Sequence, residues 1–460
     1  MSPVTAPVAP VPAHSRWASA AVSAAPGGPG IRGWASLPRE AVALLRSGAR
    51  TTPGLLRIAA VALTALITLF WAAALASTLV RQSAVDAVRD RAGPSFVAAQ
   101  RLHADLSAAD ATVAIAYLAG TIEPAERRQA YDSSIEEAGR ELAALTRAGG
   151  GDEARAALET VVTRLPVYTG WVEQARANNR QGHVVGAAYL WKASKLMREE
   201  ILPAVETFAA INADRIDDGY RRGTHWSQPT AVAVLGAATL AALAGAQWLL
   251  FRRANRVLNP WLLTATLLMA ASLVVTLAVF SAERARLVEA RDQGFVPMAE
   301  VGQARVLGLR VWGDHSLSLI ARGDSSALDA DAAATTERLG KEVLPAVAAL
   351  AGPDQETRTV LRPAWVTYEG LSGQAYRLVT ETAGRFPDAV AITVGDGAVA
   401  FERYDAAAAA AFESSALRFG EGLAAADGRL PGLAVAVSVL AAAGVALMAI
   451  GLWRRIEEYR

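Results

Sequence analysis

The chain has 460 residues, 45 basic against 44 acidic side chains, and no cysteine. Its mean hydropathy is +0.24, a value that soluble enzymes rarely reach, so a membrane has to be considered first. Disulfides, thiolate catalysis and cysteine metal sites are excluded.

Residues 1–35 are rich in Pro, Ala, Gly and Ser ("MSPVTAPVAPVPAHS", "AAPGGPG") and lack the large apolar side chains that build a core, which is the composition of a disordered tail. In "SLPREAVALLRSG", Ser36 and Pro38 give a helix start and Gly48 a stop. Leu37, Ala41, Leu44 and Leu45 fall on one side, so this stretch is either a short helix on the inner membrane surface or a linker. Residues 1–57 as a whole are basic, with Arg16, Arg32, Arg39, Arg46, Arg50 and Arg57 against Glu40.

Four windows then contain no Asp, Glu, Lys, Arg or His: residues 58–80, 229–251, 257–282 and 430–453. Each exceeds the roughly 20 residues that a helix needs to cross a hydrocarbon core of about 30 Å, and each is read as a transmembrane helix. Trp71, Trp248, Trp261 and Trp453 lie toward their ends, where interfacial aromatics collect. A signal-peptide reading of "ALAS" at 74–77 is weaker, because the basic lead and the apolar run are both too long. Arginine sets the orientation. The loop 252–256, with Arg252, Arg253 and Arg256, the residues before 58 and the tail "RRIEEYR" (454–460) belong inside by the positive-inside rule. Those segments carry +5, +3 and +1, so a whole-chain charge of +1 leaves −8 on the two outward segments, 81–228 and 283–429. An acidic exterior argues against nucleic acid as a partner.

The two outward segments have nearly equal length and share weak matches in a common order. Arg89-Asp90 corresponds to Arg291-Asp292, Pro94 to Pro297, Gln100 to Gln303 and Gly120 to Gly323; "RLPVYTGWVE" faces "LRPAWVTYEG". Within each, apolar residues recur at helical steps, as Ile135, Ala138, Leu142 and Leu145 do. Helices are predicted at about 81–119, 123–147, 152–180 and 183–227, then 283–322, 325–350, 354–383 and 387–428. "DAVAITVGDGAV" is the weakest of these, where Gly395 and Gly397 allow a break or a short extended piece. Pro94, Pro203, Pro297 and Pro345 either kink their helices or mark turns. An all-α membrane protein follows, in two tandem repeats of membrane helix, outward four-helix bundle and membrane helix, with the first helices of the bundles as neighbours.

No catalytic constellation emerges. No glycine loop precedes Lys and Ser/Thr, no histidine pair has metal spacing, and no serine sits in a nucleophile elbow, so neither enzyme activity nor a cofactor is expected. The membrane windows hold no ionisable group, which disfavours transport; the strongly polar Gln247 lies near the inner end of the second. For ligand binding, Arg101, Arg305 and Arg310 are candidates to hold a carboxylate between bundles, and Lys192 and Lys195, in the aromatic-rich "YLWKASKLMREEILPA", are candidates for an acidic or amino-acid-like ligand. Arg252, Arg253 and Arg256 are candidates for contact with a cytoplasmic partner.

This plan of two membrane helices flanking an outward bundle resembles the input half of bacterial chemoreceptors and bundle-type sensor kinases, doubled in one chain. It departs from them because 252–256 and 454–460 leave no room for a cytoplasmic output domain. Topology, size and "AYLWKASKLMREEILPA" make the chain similar to the four-helix membrane proteins of GlnX type. That resemblance implies a multi-pass plasma-membrane protein with both termini cytoplasmic. It also implies signal transfer from an extracytoplasmic solute-binding lipoprotein to a cytosolic Ser/Thr protein kinase. The alternative is a structural or assembly scaffold of the cell envelope.

Overall fold

The computed structural model describes residues 52–254, 259–321, 325–350, 358–381, 384–428 and 430–457. The basic tail up to residue 51, with the expected inner-surface segment at 36–48, and Arg256 lie outside the described residues, while residues 52–57 already belong to a helix. The chain divides into two compact units, residues 1–62 with 452–460, and residues 63–451. In the first, the described part is the opening of one helix and the close of another. The packing and the sites belong to the second.

Every described element is a helix, as the abundance of Ala, Leu, Glu and Arg requires. In chain order they are α1 (Thr52–Ala87), α2 (Gly93–Leu118), α3 (Ala125–Ala148), α4 (Asp152–Arg180), α5 (Val185–Leu196), α6 (Leu202–Thr224), α7 (Ser227–Ala254), α8 (Pro260–Ala290), α9 (Val296–Ala321), α10 (Ser326–Arg338), α11 (Leu344–Ala349), α12 (Leu361–Thr380), α13 (Phe386–Val394), α14 (Asp396–Asp427) and α15 (Leu430–Glu457). Four stretches are long and apolar enough to cross a bilayer, so the chain is an all-α membrane protein. The apolar windows do not end where their helices end. Leu56–Leu118 runs for 63 residues and Pro260–Ala321 for 62, each about 95 Å long against a hydrocarbon core of about 30 Å.

The prolines explain how those helices stay continuous. Pro94, Pro203, Pro297 and Pro345 each stand second in an α-helix that follows a five-residue π-helix: Val88–Ala92, Met197–Ile201, Arg291–Phe295 and Leu339–Val343. Proline has no N–H for the carbonyl four residues back. The residue before it bonds five back instead, Gly93 to Val88, Leu202 to Met197, Val296 to Arg291 and Leu344 to Leu339. Each proline is absorbed by a wider turn with no break in the rod. The first and third of these π-helices lie in the matched stretches "VRDRAGP" and "ARDQGFVP". The second and fourth do not occupy corresponding positions. At "DAVAITVGDGAV" the chain is helical on both sides of a break at Gly395, with no extended piece.

In the membrane windows hydrogen bonds join neighbouring helices. The Trp71 indole donates to Ser438 (3.0 Å), joining α1 to α15; Thr239 approaches the Leu66 carbonyl (3.4 Å), joining α7 to α1. Gln247 donates to Thr266 (2.8 Å), joining α7 to α8, so this polar side chain is satisfied between helices. Asn259 caps α8 and donates to the Gly451 carbonyl (2.9 Å) on α15. Leu69, Val234, Leu267, Val274, Val435 and Val439 remain exposed, as side chains facing lipid do.

Beyond the membrane windows the helices form two sets, α2–α6 and α9–α14. Within them α2 packs on α3 and α6, α4 on α5, α9 on α10 and α14, and α12 on α14. Between them α2 packs directly on α9. Buried side chains from both sets form one hydrophobic cluster, from Val85 to Ala426. Phe295 links Phe96 (5.4 Å between ring centroids) to Phe419 (5.7 Å) beside the two matched π-helices. Only glycine fits there: a Cβ on Gly294 would stand 2.7 Å from the Phe419 Cα.

Candidate functional site

The interface between α2 and α9 carries buried charge. Asp110 lies within the otherwise apolar run "LSAADATVAIAYL" of α2, and Asp314 within "LGLRVWGDHSLSLI" of α9; they are 4% and 0% exposed. A buried carboxylate needs a partner. Arg198, in the π-helix between α5 and α6, serves both: its Nε lies 3.6 Å from Asp110 Oδ2, and its Nη1 donates to Asp314 Oδ1. Gly313 makes room, since a Cβ there would meet Arg198 Nη2 at 2.8 Å. Ser194 donates to Asp110 at 2.8 Å. Burial pushes the Asp110 carboxyl up, against the pull of Arg198, and burial also lowers Arg198. The guanidinium nevertheless remains charged. One cation from the first helical set thus joins a carboxylate of its own set to one of the other.

Around this clasp, His103 pairs with Glu206 (3.2 Å) and with the Ser107 hydroxyl (3.3 Å). The His103 hydrogen bond holds Glu206 below the usual carboxylate range. These groups and Arg310 line a cavity of about 160 Å³.

A wider cleft of about 630 Å³ brings Arg101 and Arg305 together with Asp105, Glu137, Arg140, Glu141 and Glu413. Both arginines are already engaged by two-point hydrogen bonds, Arg101 with Glu413 (2.8 and 2.5 Å) and Arg305 with Asp405 (2.7 and 3.1 Å). The carboxylates they hold are the protein's own. Asp105, between them, is pushed up to about 7 by burial, which the nearby Arg305 opposes.

The remaining sequence candidates are scattered. Arg310 pairs with Asp331 (2.7 Å) on an exposed face. Lys192 lies 5.8 Å from the Tyr189 ring centroid, and Lys195 forms an exposed pair with Glu199 (3.8 Å). Arg252 lies over Trp248 at 4.7 Å. The Arg253 side chain and all of Arg256 lie outside the described residues. Sequence reasoning passed over Asp110, Asp314 and Asp105; the available signal was an acid inside an apolar helical run, which burial without a partner would not permit.

A further pair sits where the apolar windows end. Arg81, the first residue after the first window, and Glu283, the first after the third, pair at 3.1 Å with 1% and 3% exposure. Arg81 also lies over the Phe280 ring at 4.4 Å. Among the described residues no three His, Asp or Glu side chains are grouped to hold a metal ion.

Residues 84–221 match the family model of an actinobacterial sensor domain. The match covers under a third of the chain, from the last turn of α1 into α6, and includes Arg101, Asp110, Lys192, Lys195 and Arg198. It supports a sensing role for that region. No curated protein and no solved structure matches the chain.

Proposed function

We propose that the chain is an integral membrane signal-relay protein of the plasma membrane. It couples an extracytoplasmic ligand, or a binding lipoprotein of amino-acid or nutrient type, to a cytosolic regulator such as a Ser/Thr protein kinase, with no catalysis of its own. In this reading α2–α6 and α9–α14 are tandem extracytoplasmic bundles, and both termini and the 252–256 loop are cytoplasmic. The observation that carries it is the path of α1–α2 and α8–α9. Each passes from an apolar window into the charged interface without a loop, so a shift at the Arg198 clasp moves a membrane helix as a rigid rod. A coupling of about 1–3 kcal/mol between outer and inner binding events is enough for a 5- to 150-fold change in affinity. The sensor-domain match to the first set supports the same reading.

The test is the cellular response. Phosphorylation of cytosolic proteins on addition of amino acids is compared between the parent strain, a complete deletion and an Arg198→Met variant. The relay predicts a response lost in the deletion and altered in the variant. Identical phosphorylation in all three overturns it in favour of an envelope scaffold. Topology is read separately. Cysteines at Ile122 and Val360, which are exposed, should label with an impermeant maleimide in intact cells, and one at Arg252 only after permeabilisation.

A further inference from the structure

The second helical set holds a cavity of about 620 Å³, a size typical of small-molecule sites. Its lining runs from His315 to Gly397, beyond the stretch that matches the sensor family. Tyr368, Leu319, Ala375 and Gly397 are buried at its base, and Tyr376, Val379 and Thr380 are exposed at its mouth. His315 lies deep in the fold yet keeps accessible surface, which faces this space.

The charge of the lining is one-sided. Among the described residues that line it, Asp329 is the only acid and none is a lysine or arginine. The Ser318 and Ser325 hydroxyls both donate to the Asp329 carboxylate, Ser325 at 2.9 Å, and fix its orientation. A carboxylate offers about four acceptor positions, so two neutral hydroxyls leave some of them open. Among the described residues Asp329 forms no ion pair, unlike Asp331 two positions on, which holds Arg310. His315 supplies no positive charge. Its Nδ1 lies 3.0 Å from the Tyr368 hydroxyl, and burial lowers it to about 4, so the ring is neutral near pH 7. The aromatic rings of Tyr368, Tyr376 and Phe386 line the same cavity, with Leu319 and Ile392 as apolar wall.

A fixed carboxylate with open acceptor positions in a space walled by aromatic rings is the chemistry that recognises an organic ammonium, by charge at one end and ring faces around it. We propose that this cavity binds a small organic cation, an amine or quaternary ammonium whose head meets Asp329 and whose hydrocarbon body lies against Tyr368 and Phe386. The binding step stands on the cavity alone. The relay reading enters only in what occupancy does, because His315 and Ser318 lie on α9 beside Asp314, in the helix that enters the membrane.

The test uses the full chain in lipid nanodiscs and two probes of matched shape and opposite charge, phenethylamine and phenylacetate, with choline as a second cation. Both cations should bind by calorimetry, raise the melting temperature and slow amide exchange in residues 315–329 and 368–380, while phenylacetate does none of these. Asp329→Asn should weaken cation binding by about tenfold or more, and Asp331→Asn should leave it unchanged. Unchanged helicity of Asp329→Asn establishes that the variant is folded; if it is not, Ser318→Ala together with Ser325→Ala is used, with weakened binding again expected. Equal binding of amine and acid, protection outside the cavity, or no binding of either cation at about 10 mM, where a millimolar site is mostly filled, overturns the proposal. Binding without any change in cellular phosphorylation leaves the site intact and removes the relay.

Discussion

Replacing Arg198 with Met removes the one cation that the buried Asp110 and Asp314 share, and keeps a side chain of similar length. At 3.6 Å from Asp110, with an effective dielectric of about 20, the Coulomb attraction is about 5 kcal/mol. Losing one partner of a buried pair costs about 3–5 kcal/mol in comparable cases. The two orphaned carboxylates then face each other across the α2–α9 contact. Uptake of a proton relieves part of the cost, so the loss should be about 3–5 kcal/mol at pH 8 and clearly smaller at pH 5. Unfolding followed by far-ultraviolet circular dichroism in detergent, at both pH values, measures it. Adding Asp110→Asn and Asp314→Asn to Arg198→Met should recover all but about 1–2 kcal/mol, because neutral amides lack the repulsion. A loss below about 1 kcal/mol at pH 8, or no recovery in the triple variant, would show that the charges are solvated and that the clasp does not hold the two sets together.

His315, lowered to about 4 by burial, has a folded value below its ordinary 6.5, so its contribution is present above pH 6.5 and is lost as pH falls toward 4. The drop from 6.5 to about 4 corresponds to about 3 kcal/mol, and a stability–pH curve for His315→Gln should be flatter across that window. Asp105, raised to about 7, acts in the opposite direction. Its contribution is present below pH 3.8 and lost as pH rises toward 7, so Asp105→Asn should be more stable than the parent at pH 8 by about 1–2 kcal/mol after screening in the open cleft, and by less at pH 5. Equal effects at the two values contradict this. Gly294→Ala sets a Cβ against the Phe419 backbone at 2.7 Å and should destabilise by about 1–3 kcal/mol, measurable as a lowered melting temperature. Gly139→Ala, with open space around it, is the control.

Four helices long and apolar enough to cross a membrane were legible because a soluble fold keeps charge at its surface, so a helix that goes more than twenty residues without any has the composition of a membrane span. The helices were legible because alanine and leucine at three- and four-residue steps leave little choice. The π-helices were not. Pro94 and Pro297 announce that a backbone bond is missing, but whether the chain kinks, turns or widens depends on what packs beside it, here Phe419 against Gly93 and Gly294. The site was legible only in its ingredients. Arg101 and Arg305 were identified as forks for a ligand's carboxylate; the carboxylates they hold are the protein's own, Glu413, 312 residues away, and Asp405, 100 away. No local pattern encodes which acid arrives. The cavity beside Asp329 is a still more tertiary property, since its walls come from α9, α10, α12, α13 and α14.

The single core spanning both helical sets has a consequence for synthesis. The chain emerges from the N-terminus, so the first set presents Phe96 and the Asp110–Arg198 pair before α9 exists to cover them. From Thr224 to Ala321 the ribosome needs about 5–20 s at 5–20 residues per second. Through that interval the first set stands half-covered, with an apolar flank open to the wrong neighbour. Nascent chains arrested near residue 254 should therefore be bound by chaperones and cleaved by proteases, and those extended past α14 should escape both.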